Sequence, residues 1–176
     1  GSTMYYLDNA ATSWPKPEEV YQTLDKGFRE FLSAKRGNSK KSREGVTKLE
    51  AARAVVGEMI HAPTSSNVVF TGGCTQSINL AIQAFPWKTG DGIVISALEH
   101  HALSRPVRKI ARERGVELWV VPYHDDLPFD LDVYEDLLKS KPHIRMVATT
   151  HASNVIGSVL PLEQIGALAK QYEKYF

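Results

Sequence analysis

The apolar positions change their period along the chain. Val20, Leu24, Phe28, Phe31 and Leu32 recur at helical spacing, which predicts an amphipathic helix. Trp14-Pro15-Lys16-Pro17 bars helix ahead of it, and Pro17 suits a first-turn position. Upstream, Tyr5-Tyr6-Leu7 reads as a short extended segment and Asp8 to Thr12 as a loop. Residues 35–43, KRGNSKKSR, are polar and contain glycine, so a loop is expected. Val46, Leu49, Ala52, Val56, Met59 and Ile60 predict a second amphipathic helix, ended before Pro63.

From residue 68 the pattern becomes an alternation. Val68 to Thr71 predicts a strand, Thr71-Gly72-Gly73 a turn, and the following residues to Ile82 a helix. Ile93-Val94-Ile95 predicts a strand after the turn residues Gly90-Asp91-Gly92. Val107, Ile110 and Ala111 mark a helix that stops near Gly115. Val116 to Val121 is a strand ended by Pro122; Leu131 to Leu138 is a helix with Asp130 as N-cap. Met146-Val147-Ala148 is a strand, and Leu162, Ile165, Leu168, Ala169 and Tyr172 form a last helix. Strands alternating with helices predict an α/β domain with a largely parallel sheet. Residues 1–3 read as a cloning scar, 4–45 as an N-terminal segment with its helix, and 46–176 as part of one large domain. The chain stops at Tyr175-Phe176, straight after a helix, where the series calls for another strand.

Composition narrows the function classes. The 176 residues suffice for a real core, and 43% hydrophobic with 23% charged content is an ordinary globular balance. A formal net charge of +1 gives no electrostatic argument for nucleic acid or an anionic membrane. No apolar run approaches a bilayer span, and no signal-peptide pattern opens the chain, so a cytoplasmic protein is expected. The single cysteine, Cys74, excludes an intrachain disulfide.

Three polar clusters follow predicted strands. Thr71-Gly72-Gly73-Cys74-Thr75-Gln76-Ser77 places glycines and hydroxyls at a helix start, where free N–H groups and the helix dipole favour an anion. It is neither a Walker A loop nor a G-x-G-x-x-G turn, which argues against a nucleotide-binding domain. Ser96 to His101 follows the second strand, where an imidazole could stack on an aromatic ligand or move protons. As a metal site it lacks good ligand spacing and a third ligand; the plain alternative is a pair of surface histidines beside a solvated Glu99. Thr149 to Gly157 follows the last strand and is rich in donors. Strand ends of one parallel sheet converge on a ligand crevice, so the three clusters together favour a binding site.

LDNAAT at 7–12, FTGGCTQSINLAI at 70–82, EHHALSRP at 99–106 and THASNVIGSVLPLEQI at 150–165 resemble the cysteine desulfurase family (SufS- and NifS-like), within the class V aminotransferases. The resemblance runs over almost the whole chain. It implies part of a type I, aminotransferase-like fold for pyridoxal phosphate (PLP) enzymes, truncated, with 46–176 as an incomplete PLP-binding domain. It further implies that Cys74 and Thr75 hold the PLP phosphate through backbone N–H groups and the Thr75 hydroxyl. His100 would stack on the pyridine ring and take part in proton transfer. Asn154 would bond the ring's phenolic oxygen, and Asn9, Ala10 and Ala11 would line the substrate side.

The implied activity converts L-cysteine to L-alanine with sulfur passing to an enzyme persulfide. A homo-oligomer, an amino-acid substrate, a sulfur-acceptor protein and a role in iron–sulfur cluster assembly come with it. The chain departs from the family pattern at Gln76, where Glu is common, and at 36–45, where the usual Pro and His are missing. It also lacks the family's ring-nitrogen Asp, cofactor-binding Lys, substrate Arg and persulfide Cys, so it is expected to be inactive alone. A class V aminotransferase, another PLP lyase, or a non-catalytic remnant or interaction module are the alternatives. In the family, later strands separate 68–71 from the other three. Open edges are therefore expected, and with them an oligomer, a rearranged sheet or marginal stability.

Overall fold

A computed structural model describes residues 4–30 and 37–176. The chain forms two compact units, the first ending at Phe70 and the second running from Thr71 to Phe176.

In the first unit, Tyr6 donates its hydroxyl to the carbonyls of Asp8 (3.0 Å) and Thr12 (2.7 Å) and meets the Trp14 ring edge-on. Helix α1 spans Glu18–Glu30, directly after Pro17, with Glu18 and Glu19 at the positive end of its dipole. Its apolar stripe of Val20, Leu24 and Phe28 is exposed. Phe31, Leu32, Lys35 and Arg36, which the pattern assigned to this helix and the following loop, lie outside the described residues. Helix α2 spans Lys40–Met59. The expected loop at 35–43 is therefore corrected at 40–43. Ser39 is extended, and its side chain accepts the Ser42 N–H, a cap that outweighs the polar composition of the first turn.

The expected strand at 68–71 is also corrected, because among the described residues no strand pairs with it. Arg53 instead donates to the Val68 carbonyl and lies over the Phe70 ring. β-branched residues favour an extended backbone, but a ladder needs a neighbour, and none is available here.

The second unit carries the sheet. Strands β1 (Gly92–Ser96), β2 (Glu117–Val121) and β3 (Ile144–Ala148) are all parallel, in the order β2-β1-β3. Helices α3 (Cys74–Ala84), α4 (His101–Arg114), α5 (Leu131–Ser140) and α6 (Leu162–Gln171) flank it. Strand β1 is buried throughout, as a central parallel strand covered on both faces should be. Its alternation divides the core: Ile93 and Ile95 pack with Ile82, Leu103, Val107 and Ile110, while Val94 packs with Val121, Tyr134, Val147 and Ile165. Each fully buried aliphatic of this kind stabilises the fold by roughly 1.5–3 kcal/mol.

Two local features go beyond the expected pattern. Helix α4 begins at His101, earlier than the apolar spacing indicates, because His100 acts as its N-cap. After α6, Tyr175 pairs parallel with Met146; its carbonyl accepts Val147 N–H and its N–H donates to Arg145, so the outer edge of β3 is partly covered.

Candidate functional site

Helix α3 begins without a side-chain cap. Gly73 is its N-cap, at φ +157°, and supplies no capping group. The hydroxyl of Thr71 is engaged with Ser77 at 2.6 Å, and Gln76 Oε1 accepts the Gly72 N–H at 2.7 Å. These bonds close the loop below the helix start and leave the N–H groups of Cys74 and Thr75 without acceptors among the described residues. Free N–H groups at the positive end of the helix dipole make a neutral anion cradle. Cys74 is exposed at its rim.

At the end of β1, Ser96 is buried and Glu99 is half-buried. Ser96 Oγ donates to Glu99 Oε1 at 2.5 Å, and the same oxygen accepts the Thr150 N–H at 2.7 Å. Burial pushes the Glu99 carboxyl above its ordinary value, with these hydrogen bonds acting in the opposite direction. His100 Nδ1 accepts the Ala102 N–H at 3.0 Å. An accepting Nδ1 places the proton of the neutral ring on Nε2 and fixes the ring at the mouth of α4.

One cavity of about 770 Å³ joins these parts, with Cys74, Thr75, Glu99, His100, Thr149 and Thr150 among its lining residues. Ile78, Ile82 and Leu103 add apolar wall. The Thr149 hydroxyl is buried and has no hydrogen-bond partner. An orphaned buried hydroxyl on a residue of the cavity wall suits a ligand that brings its own polar group.

The site thus brings together Cys74, Thr75 and His100. Asn154 lies on an exposed turn and is not part of the cavity lining. That turn is built by Ser153, whose Oγ accepts the N–H groups of Val155 and Ile156, and by Gly157 at φ +72°. Asn9, Ala10 and Ala11 belong to the first unit and are exposed there; Asn9 Oδ1 accepts the Trp14 N–H at 3.2 Å. Sequence reasoning named Glu99 and Thr149 only as members of their polar clusters and gave neither a role in the site. Ser96-x-x-Glu99 across a strand end was the available signal for the first, whereas nothing in sequence marks an unpartnered threonine. Among the described residues no group of three His, Cys, Asp or Glu could hold a metal ion, and no helix is long and apolar enough to cross a membrane.

A parallel sheet flanked by helices, with a glycine-entered helix start beside a strand-end histidine, defines an α/β protein with an anion-cradle geometry at its strand ends. The family model for class V aminotransferases matches residues 5–176, and the chain belongs to that family. It is 34% identical over 168 residues to a cysteine desulfurase of Dickeya dadantii, covering 94% of this chain and 40% of that protein. The apo structure of a cysteine desulfurase from Thermococcus onnurineus NA1 superposes with a TM-score of 0.86 at 29% identity, over 95% of this chain and 41% of that one. The cysteine desulfurase CsdA of Escherichia coli, in its S-sulfonic acid form, gives 0.79 at 31% identity, over 96% and 43%. The chain therefore spans about two-fifths of the length of these relatives.

Proposed function

We propose that this chain is the phosphate-cradling part of a PLP-dependent cysteine desulfurase. The observation that carries the reading is the convergence of the uncapped α3 start, His100 and the end of β3 on one cavity. Its residues fit the cofactor: Cys74 and Thr75 N–H groups and the Thr75 hydroxyl suit a phosphate, His100 offers a flat face for a pyridine ring, and Thr149 has a free hydroxyl. Bound PLP supplies the electron sink for chemistry at an amino-acid carbon.

The chain's own residues bind and orient. The α3 dipole and N–H groups hold the phosphate without a cation. His100, with Nδ1 occupied by the Ala102 N–H, keeps Nε2 for a hydrogen bond to a ligand. The apolar side chains Ile78, Ile82 and Leu103 lower the local dielectric on one side of the cavity and strengthen these contacts. In the whole protein the substrate would be L-cysteine, the products L-alanine and an enzyme persulfide, and the partners a second copy and a sulfur acceptor. Asn154 would reach the ring's phenolic oxygen, and Asn9, Ala10 and Ala11 the substrate side.

Among the described residues no lysine lines the cavity, and Cys74, the sole cysteine, sits in the cradle. The chain alone is therefore inactive toward cysteine. The test is to mix it with PLP, reduce with borohydride and measure intact mass, with an alanine-release assay in parallel. The expected result is no stoichiometric adduct and no alanine. A single-lysine adduct with turnover contradicts the proposed division of labour.

A further inference from the structure

The ends of β1 and β3 are tied by one carboxylate oxygen. Glu99 Oε1 accepts a hydrogen bond from the Ser96 hydroxyl at 2.5 Å, from its own strand end, and one from the Thr150 N–H at 2.7 Å, from the other. Ser96 Oγ in turn accepts the Leu98 N–H at 3.2 Å, which bends the chain between Ser96 and Glu99 back over the strand end. Glu99 thus closes a ring from β1 through its own turn to β3. The next residue is His100, the N-cap of α4 and the histidine of the cavity. The residue before Thr150 is Thr149, whose hydroxyl is orphaned at the cavity wall.

We propose that Glu99 is a positioning residue, a clasp between the ends of β1 and β3 that sets the distance from the His100 ring to the Thr149 and Thr150 wall. This deepens the PLP reading of the same cavity and rests on it for its consequence, not for its geometry. Three features support it. Both donors converge on one oxygen, so the side chain can serve as an acceptor in neutral or charged form. The oxygen bridges residues far apart in sequence, which a solvated surface glutamate would not do. Reach is decisive: a side chain one methylene shorter cannot meet both Ser96 and Thr150 from the same backbone position.

That last point separates a clasp from a local charge. E99Q keeps reach and acceptor but removes the charge, whereas E99D keeps the charge and loses reach. In the 176-residue chain, Thr150 amide exchange is expected to stay within about twofold of wild type in E99Q and to rise tenfold or more in E99D and E99A. The His100 ring resonances, a signature that general loosening of the fold does not move selectively, shift in E99D and E99A and return in E99Q. Affinity for pyridoxamine 5′-phosphate, which cannot bond covalently to lysine, follows the same order.

If E99A fails to fold, the E99D and E99Q pair still decides. Thr150 exchange unchanged in E99D, or protection kept by E99D and lost in E99Q, overturns the clasp. Clasp behaviour by exchange and His100 resonances, together with no binding of pyridoxamine 5′-phosphate by wild type, upholds the clasp and overturns the PLP reading instead.

Discussion

Glu99 shows how a single residue can change meaning between sequence and structure. Beside two histidines it reads as a solvated neighbour; in the fold it is half-buried and accepts one hydrogen bond from the end of β1 and one from just beyond the end of β3. Its carboxyl is raised above 4.5 because burial outweighs those bonds. The native state then holds its proton to higher pH than the unfolded chain does. Its contribution to stability is fully present below the unfolded value and is lost as pH rises through the native one. Urea denaturation of wild type from pH 4 upward is expected to show this fall, and E99Q to remove it; parallel curves for the two proteins contradict it. Thr75 and His100 were legible from residue type and place, because a hydroxyl at a glycine-entered helix start and an imidazole at a strand end each have a physical reason to be there. Thr149 was not, since its significance lies in a partner it lacks.

At the scale of elements, apolar periodicity succeeded wherever both faces of an element are decided by burial. Strand β1 alternates between two core clusters, and α5 and α6 follow their apolar positions and, for α5, the Asp130 cap. Periodicity failed where hydrogen bonding decides. Val68 to Thr71 has strand composition but no ladder neighbour, and the starts of α2 and α4 were set by Ser39 and His100 as caps. Tyr134 joins α5 to α6: its buried hydroxyl donates to the Ile165 carbonyl at 3.0 Å. Y134F is expected to cost about 1 kcal/mol in chemical denaturation, the usual net worth of such a bond; no change contradicts that role. Helix α4 carries Arg105, Arg108, Lys109 and Arg112 exposed at like-charged i,i+3 and i,i+4 spacings. R108E converts the Arg112 spacing into an attractive pair and is expected to stabilise by a few tenths of a kcal/mol, seen as a small rise in Tm that high salt removes.

For the molecule as a whole, the alternation of strands and helices was readable, and the parallel sheet confirms it. The division at Phe70 was not readable, because no linker composition marks it. The outer edge of β2 has no strand beside it among the described residues, and Val120 on that strand is 44% exposed. Unprotected edges pair with other chains. Light scattering after size exclusion is expected to give more than one chain per particle, reduced by V120K; a monomer at all concentrations contradicts it.

The account turns on a cradle that holds a phosphate. Isothermal titration of the chain with pyridoxamine 5′-phosphate and with pyridoxamine tests this most directly, with T75V alongside. The account predicts saturable 1:1 binding of the phosphorylated ligand, at least tenfold weaker binding of the other, and a loss in T75V confined to the phosphorylated form. Equal affinity for the two ligands, or no binding of either, contradicts it.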